Sequence, residues 1–131
     1  MITSIYAALI GLLIIILSLN VALRRMRTQI TIGTGGDNDY LIRSIRAQAN
    51  LIEYAPITLI LLFLAELNGT SAILLNCYGI TFIVARLFHA LGLYISSGSS
   101  WPRFIGVNLT WLVIFGLSVW NLIYGYQQLT Y

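Results

Sequence analysis

Two long uncharged stretches constrain what this chain can fold into. No Asp, Glu, Lys or Arg lies between Met1 and Leu23 or between Phe104 and Tyr131. Charged residues make up 8% of the chain, against about 25% in soluble domains, and 59% of the residues are hydrophobic. So few charges cannot cover the surface of a soluble domain of 131 residues. The sequence therefore predicts an integral membrane protein.

The length fits one domain, residues 1–131, with four spanning helices of about 20 apolar residues each. Gly69 is a stop signal after the second helix, and Pro102 suits the first turn of the fourth. The glycine-rich segment 28–39 and the serine-rich segment 96–100 read as connections. We predict an all-α, four-helix membrane bundle. Its helices are expected over about residues 2–23, 40–67, 72–95 and 103–127.

The arginines predict the orientation of the bundle. Eight of the eleven charged residues lie between Arg24 and Glu53. Arg24, Arg25 and Arg27 follow the first helix and Arg103 precedes the fourth, so both arginine-bearing loops lie on one side. The positive-inside rule places these loops in the cytoplasm and both termini outside.

Composition also excludes several functions. The net charge of +3 does not provide the basic stripe that a nucleic-acid binder needs. The single cysteine excludes an internal disulfide and a cysteine-based zinc site, and the single histidine excludes a bis-histidine haem within one chain. We therefore predict no metal site.

Ionisable residues inside the spans are candidates for function. Arg46, Asn50 and Glu53 are spaced by four and three residues, so they share one face of the second helix. Arg86 and His89 likewise share a face of the third helix. Because Glu53 and Arg86 lie at matching depths, we predict an ion pair between them. The full polar ladder of the second helix consists of Arg46, Gln48, Asn50, Glu53 and Tyr54.

Two interpretations of this ladder remain open. A small anionic ligand with an amine would explain it, since arginines bind carboxylates and Glu53 would receive an ammonium or amide N–H. Alternatively, the ladder links helices, and the arginines at its end set the topology and contact anionic lipid headgroups.

Two segments resemble a known family. Residues 46–56 read RAQANLIEYAP, which contains Arg-x-x-x-Asn-x-x-Glu followed by an aromatic residue and a proline; residues 85–92 read ARLFHALG. They resemble the second- and third-helix motifs of the MAPEG superfamily, the membrane-associated proteins in eicosanoid and glutathione metabolism. The four-span layout extends the resemblance over the whole chain, and the likeness is to the small bacterial branch.

The resemblance implies a homotrimer that binds glutathione between neighbouring subunits near the cytoplasmic side. Arg24 or Arg25 would join from the neighbouring subunit. Several relatives have a site tyrosine where this chain has Leu93. Tyr94 is the candidate here, although it follows one residue later, about 100° around the helix. The remaining residues that the family pattern assigns to the glutathione site are Arg46, Gln48, Asn50, Glu53, Tyr54 and His89.

The resemblance also implies catalysis. Arg103, at the start of the fourth helix, would lower the thiol pKa of glutathione. The thiolate would then attack an apolar electrophile or reduce a lipid peroxide. The expected function is a glutathione-dependent transferase or peroxidase of a bacterial inner membrane, with membrane lipid around it. The alternatives are a non-catalytic lipid-binding or scaffold protein of the same fold, and a small drug exporter, for which the first helix lacks the expected carboxylate.

Overall fold

The computed structural model describes residues 1–36 and 39–130, and it contains four helices. Each is long and apolar enough to cross a membrane, so the predicted all-α membrane bundle is confirmed. The bounds of the helices are Ile2–Thr28 (α1), Asp39–Leu67 (α2), Ala72–Ile95 (α3) and Trp101–Thr130 (α4).

Helix α1 continues past the predicted end near Leu23 into the arginine cluster. The prediction followed the loss of apolar character, but cations are favourable in the last turn of a helix, and Arg25 and Arg27 occupy that turn. Gln29 ends the helix in the left-handed conformation, with φ at 57°. The Nη1 group of Arg25 donates to three carbonyl oxygens of the following loop, those of Ile30, Thr31 and Gly33.

The turn after α2 and the connection 96–100 match their predictions, whereas Thr28 and Asp39, predicted in the loop 28–39, belong to α1 and α2. Gly69 lies in the turn between α2 and α3 with φ at +78°, a conformation that glycine adopts without strain. Residues 96–100 connect α3 to α4, and Pro102 is the second residue of α4. Two residues of the predicted loop 28–39, Asp37 and Asn38, lie outside the described residues.

Helices α2 and α3 form the centre of the bundle. Each of them contacts the other three helices, whereas α1 and α4 have no contact within the described ranges. Small side chains at the buried positions let the helices approach closely. The buried alanines are Ala47, Ala55, Ala65, Ala85 and Ala90.

Helices α3 and α4 approach each other closely at two glycines. A Cβ atom added to Gly106 would lie 2.6 Å from the carbonyl oxygen of Ala85 and 2.7 Å from the backbone nitrogen of His89. A Cβ atom on Gly92 would meet the backbone nitrogen of Arg103. Because neither glycine has a side chain, the start of α4, with Arg103, packs directly against the last three turns of α3.

A carboxylate of α2 caps the first turn of α1. Glu66 accepts hydrogen bonds from the backbone N–H groups of Ile2 and Thr3, the second at 2.8 Å. Met1, at the N-cap position, supplies no side-chain bond of its own. Glu66 thus satisfies N–H groups that the start of a helix otherwise leaves without an acceptor.

We expect Glu66→Gln to lower the free energy of unfolding by about 1 kcal/mol, because the N-terminus of α1 loses a charged acceptor. Denaturation of the protein in mild detergent measures this loss. Glu53→Gln is the matched control, since Glu53 is exposed and makes no hydrogen bond or ion pair with the described residues. Equal losses in the two variants would contradict the capping role of Glu66.

Candidate functional site

Arg86 joins three helices in the middle of the bundle. Its side chain is 3% exposed. Nη1 donates to Oδ1 of Asn50 on α2 at 2.6 Å, and Nη2 donates to Oγ1 of Thr110 on α4 at 2.6 Å. Nη2 also lies 3.4 Å from the carbonyl oxygen of Gly106, and the guanidinium faces the Tyr54 ring at 5.4 Å. A buried cation is thus held by neutral oxygens and an aromatic ring.

The predicted Glu53–Arg86 ion pair is wrong. Within the described residues, Glu53 is exposed and has no ion-pair partner, and the oxygen bound by Arg86 belongs to Asn50. The matching depths along α2 and α3 place Arg86 beside the ladder, but they do not report in which direction the Glu53 side chain projects. Three residues turn a helix by about 300°, so Glu53 projects about 60° away from Asn50. The Glu53 carboxylate is therefore left at the outside of a single bundle.

Three arginines on three helices lie within electrostatic range of His89, and we call them the cation cluster. His89 is 5% exposed and lies on α3 one turn from Arg86. Arg103, half-buried on α4, packs against Gly92, the next turn of α3. Arg46 is exposed on α2. Positive charge from α2, α3 and α4 therefore reaches the same end of the bundle.

The remaining residues of the ladder point in different directions. The amide of Gln48 donates to the hydroxyl of Ser18 at 2.6 Å and so faces α1. The hydroxyl of Tyr54 accepts a hydrogen bond from the indole N–H of Trp111 at 3.2 Å and so reaches α4. Gln48 therefore lies apart from the cation cluster, whereas Tyr54 lies beside it.

A groove of about 390 Å³ runs along α4 next to Arg103. Its volume lies within the range of small-molecule sites, about 300–1,000 Å³. The cation of Arg103 adjoins apolar and aromatic side chains, so the groove suits a molecule with one polar and one apolar part. The lining residues are Ser99, Ser100, Arg103, Phe104, Val107, Asn108 and Trp111.

A second polar chain links α1 to the end of α3. The hydroxyl of Tyr94 accepts a hydrogen bond from the amide of Asn20, whose oxygen accepts from Nε of Arg24 at 3.2 Å. Tyr94 therefore faces α1. Arg25 is bound to its own loop, whereas the terminal Nη groups of Arg24 make no hydrogen bond within the described residues. Arg24 is thus the better placed of the two to bind another molecule.

Sequence reasoning missed Ser18, Asn20, Thr110 and Trp111 as polar partners. A single hydroxyl or indole on an otherwise apolar helix carries no periodic signal. Thr110 has one weak signal, since it follows Gly106 by one turn on the face where α4 approaches α3.

The fold and the site define a small integral membrane protein, a four-helix bundle with a buried arginine and further arginines at its surface. The MAPEG family model matches residues 3–123, and the chain belongs to this family. It is similar to the inner membrane protein YecN of Escherichia coli strain K12 and to YecN of Escherichia coli O6:H1 strain CFT073. Each is 30% identical over 131 residues, which cover all of this chain and 98% of the relative.

Proposed function

We propose that the protein is a glutathione-dependent transferase or peroxidase that acts on apolar electrophiles or lipid peroxides. The observation that carries this proposal is that the ladder of α2 meets the groove of Arg103, because Tyr54 of the ladder accepts a hydrogen bond from Trp111 of the groove. Glutathione has two carboxylates and one ammonium group. Exposed Arg46 suits a carboxylate, and the Glu53 carboxylate, which has no ion-pair partner among the described residues, suits the ammonium. Asn50 and Tyr54, on the same helix, complete the polar face.

Arg103 and the α4 groove support the catalytic part of the proposal. A guanidinium beside the sulfur favours the thiolate, which is the nucleophilic form. The apolar side of the groove, formed by Phe104, Val107 and Trp111, would hold the second substrate next to that sulfur. Lipid-soluble molecules can reach this groove from the bilayer, since α4 lies at the edge of the bundle.

The exposure of Arg46 and Glu53 supports a site completed by a neighbouring subunit. In the homotrimer that we propose, a second copy would cover this face of α2 and contribute Arg24. The arginine-bearing loops lie at one end of the bundle, because Arg43 near the start of α2 donates to the carbonyl oxygen of Tyr94 at the end of α3. The positive-inside rule favours the cytoplasm for this end, and the YecN relatives favour the inner membrane.

A calorimetric titration tests the proposal. We expect the protein, purified in mild detergent, to bind glutathione at millimolar concentration or below. Arg46→Gln and Glu53→Gln should each weaken binding by about tenfold or more, because each removes a charge-assisted contact.

Arg27→Gln is the matched control for this titration. It removes one exposed positive charge from the same end of the bundle, on α1 rather than on the ladder of α2, and should change the affinity much less than Arg46→Gln does. The absence of binding at millimolar glutathione would contradict the proposal and favour the non-catalytic lipid-binding or scaffold alternative.

A further inference from the structure

The side-chain amide of Asn50 has a defined direction in the bundle. Nη1 of Arg86 lies 2.6 Å from Oδ1 and 3.4 Å from the backbone oxygen of Asn50. A guanidinium is a donor only, so it selects the amide oxygen. The NH2 group of Asn50 is consequently turned away from Arg86.

That NH2 group has no acceptor in the described part of the chain. Asn50 is half-buried, and its Nδ2 atom is not enclosed by protein. An N–H group without an acceptor is costly at membrane depth, where water is scarce. The NH2 group is therefore available to an oxygen of a molecule outside this subunit.

Arg86 is itself held so that it can impose this direction. Thr110, which is fully buried, accepts from Nη2 at 2.6 Å, and Tyr54 and Phe82 lie at 5.4 and 5.9 Å from the guanidinium. Among the described residues no carboxylate lies within ion-pair distance of Arg86. The buried charge is thus directed at an amide, and Asn50 lies between Arg46 and Glu53 on the ladder.

We propose that Arg86 is a positioning residue that fixes the Asn50 amide with its NH2 group towards the ligand, where it donates to a carboxylate or carbonyl oxygen. Arg86 does not touch the ligand in this arrangement. The inference rests on the proposed function for the identity of the ligand, glutathione. The inference states which group of Asn50 contacts the ligand, and it gives buried Arg86 a role in ligand recognition.

Asn50→Asp tests the oxygen and the NH2 group of this amide separately. An aspartate keeps an oxygen for Arg86 and adds an opposite charge, but it replaces the outward NH2 group by an oxygen. We expect a thermal midpoint equal to or above that of the unmodified protein, together with at least tenfold weaker glutathione binding. A purely structural Asn50 would leave the affinity unchanged, which would overturn the inference. A lower midpoint would overturn the assigned amide direction.

Thr110→Val and Thr110→Ser form a second, matched pair of variants. Valine removes the hydroxyl that holds Arg86, whereas serine retains it, and Thr110 lies away from the ladder. We expect glutathione binding by the folded protein to weaken severalfold with valine and to be retained with serine. In the Asn50→Asp background, the valine change should have no further effect on affinity. Equal affinities for the two Thr110 variants would overturn the positioning role.

The outcome for the unmodified protein separates the two proposals. If it binds glutathione and Asn50→Asp binds equally well, this inference fails and the proposed function stands. If the unmodified protein does not bind glutathione, the proposed function fails and this inference fails with it.

Discussion

Gly106→Ala is expected to lower the free energy of unfolding by about 1–3 kcal/mol, the range for inserting a group into a filled core. The added methyl group would lie 2.6 Å from the carbonyl oxygen of Ala85 and 2.7 Å from the backbone nitrogen of His89. Both atoms belong to the backbone of α3, so no side chain can turn aside. Helices α3 and α4 must separate, and the contact of Arg86 with Thr110, one turn along α4, would loosen as well.

Gly125→Ala is the control for this experiment. Gly125 lies on the same helix, and a Cβ atom there has nothing within 4 Å. Because alanine has the higher helix propensity, this variant should be neutral or up to about 1 kcal/mol more stable. Thermal unfolding in one detergent, followed by far-ultraviolet circular dichroism, compares the two variants. Equal midpoints would contradict the close approach of α3 and α4 at Gly106.

Arg103→Gln is expected to reduce the rate of glutathione conjugation at neutral pH by about tenfold or more. A nearby positive charge lowers the pKa of a thiol, so its removal raises the thiol pKa of bound glutathione and depletes the thiolate. The rate of the variant should recover as the pH rises towards the pKa of a free thiol, about 8.5. Glutathione affinity should change much less than the rate.

The rates are measured with an apolar electrophile over a range of pH in detergent. Arg27→Gln removes the same charge at an exposed position and controls for the general potential at this end of the bundle. Arg103→Lys keeps a positive charge and should retain part of the rate. If Arg103→Gln left the rate and the pH profile unchanged, Arg103 would have no role in stabilising the thiolate.

The number and approximate bounds of the helices could be predicted from sequence because each span is long and nearly free of charge. The end of α1 was harder to predict from the sequence. Hydropathy changes at Leu23, but backbone hydrogen bonding continues to Thr28, where Gln29 and the loop contacts of Arg25 end the helix. The cap that Glu66 provides for α1 depends on which helix ends lie together, and spacing along the chain does not report this.

The candidate site could be predicted in part. The spacing of Arg46, Asn50 and Glu53 predicts neighbouring positions on one surface of α2, and α2 is helical over these residues. The partner of Arg86 was predicted wrongly, because depth along two helices is readable from sequence but rotation about each helix is not. Thr110 came near Arg86 only through the packing of α4 at Gly106. The glutathione site itself stays a prediction.

The ultraviolet absorbance of glutathione bound to the purified protein at neutral pH tests thiolate formation most directly. We predict a thiolate signal that rises with glutathione and saturates with the binding isotherm measured by calorimetry. Binding without a thiolate signal would contradict the role assigned to Arg103. No binding at millimolar glutathione would contradict the account as a whole.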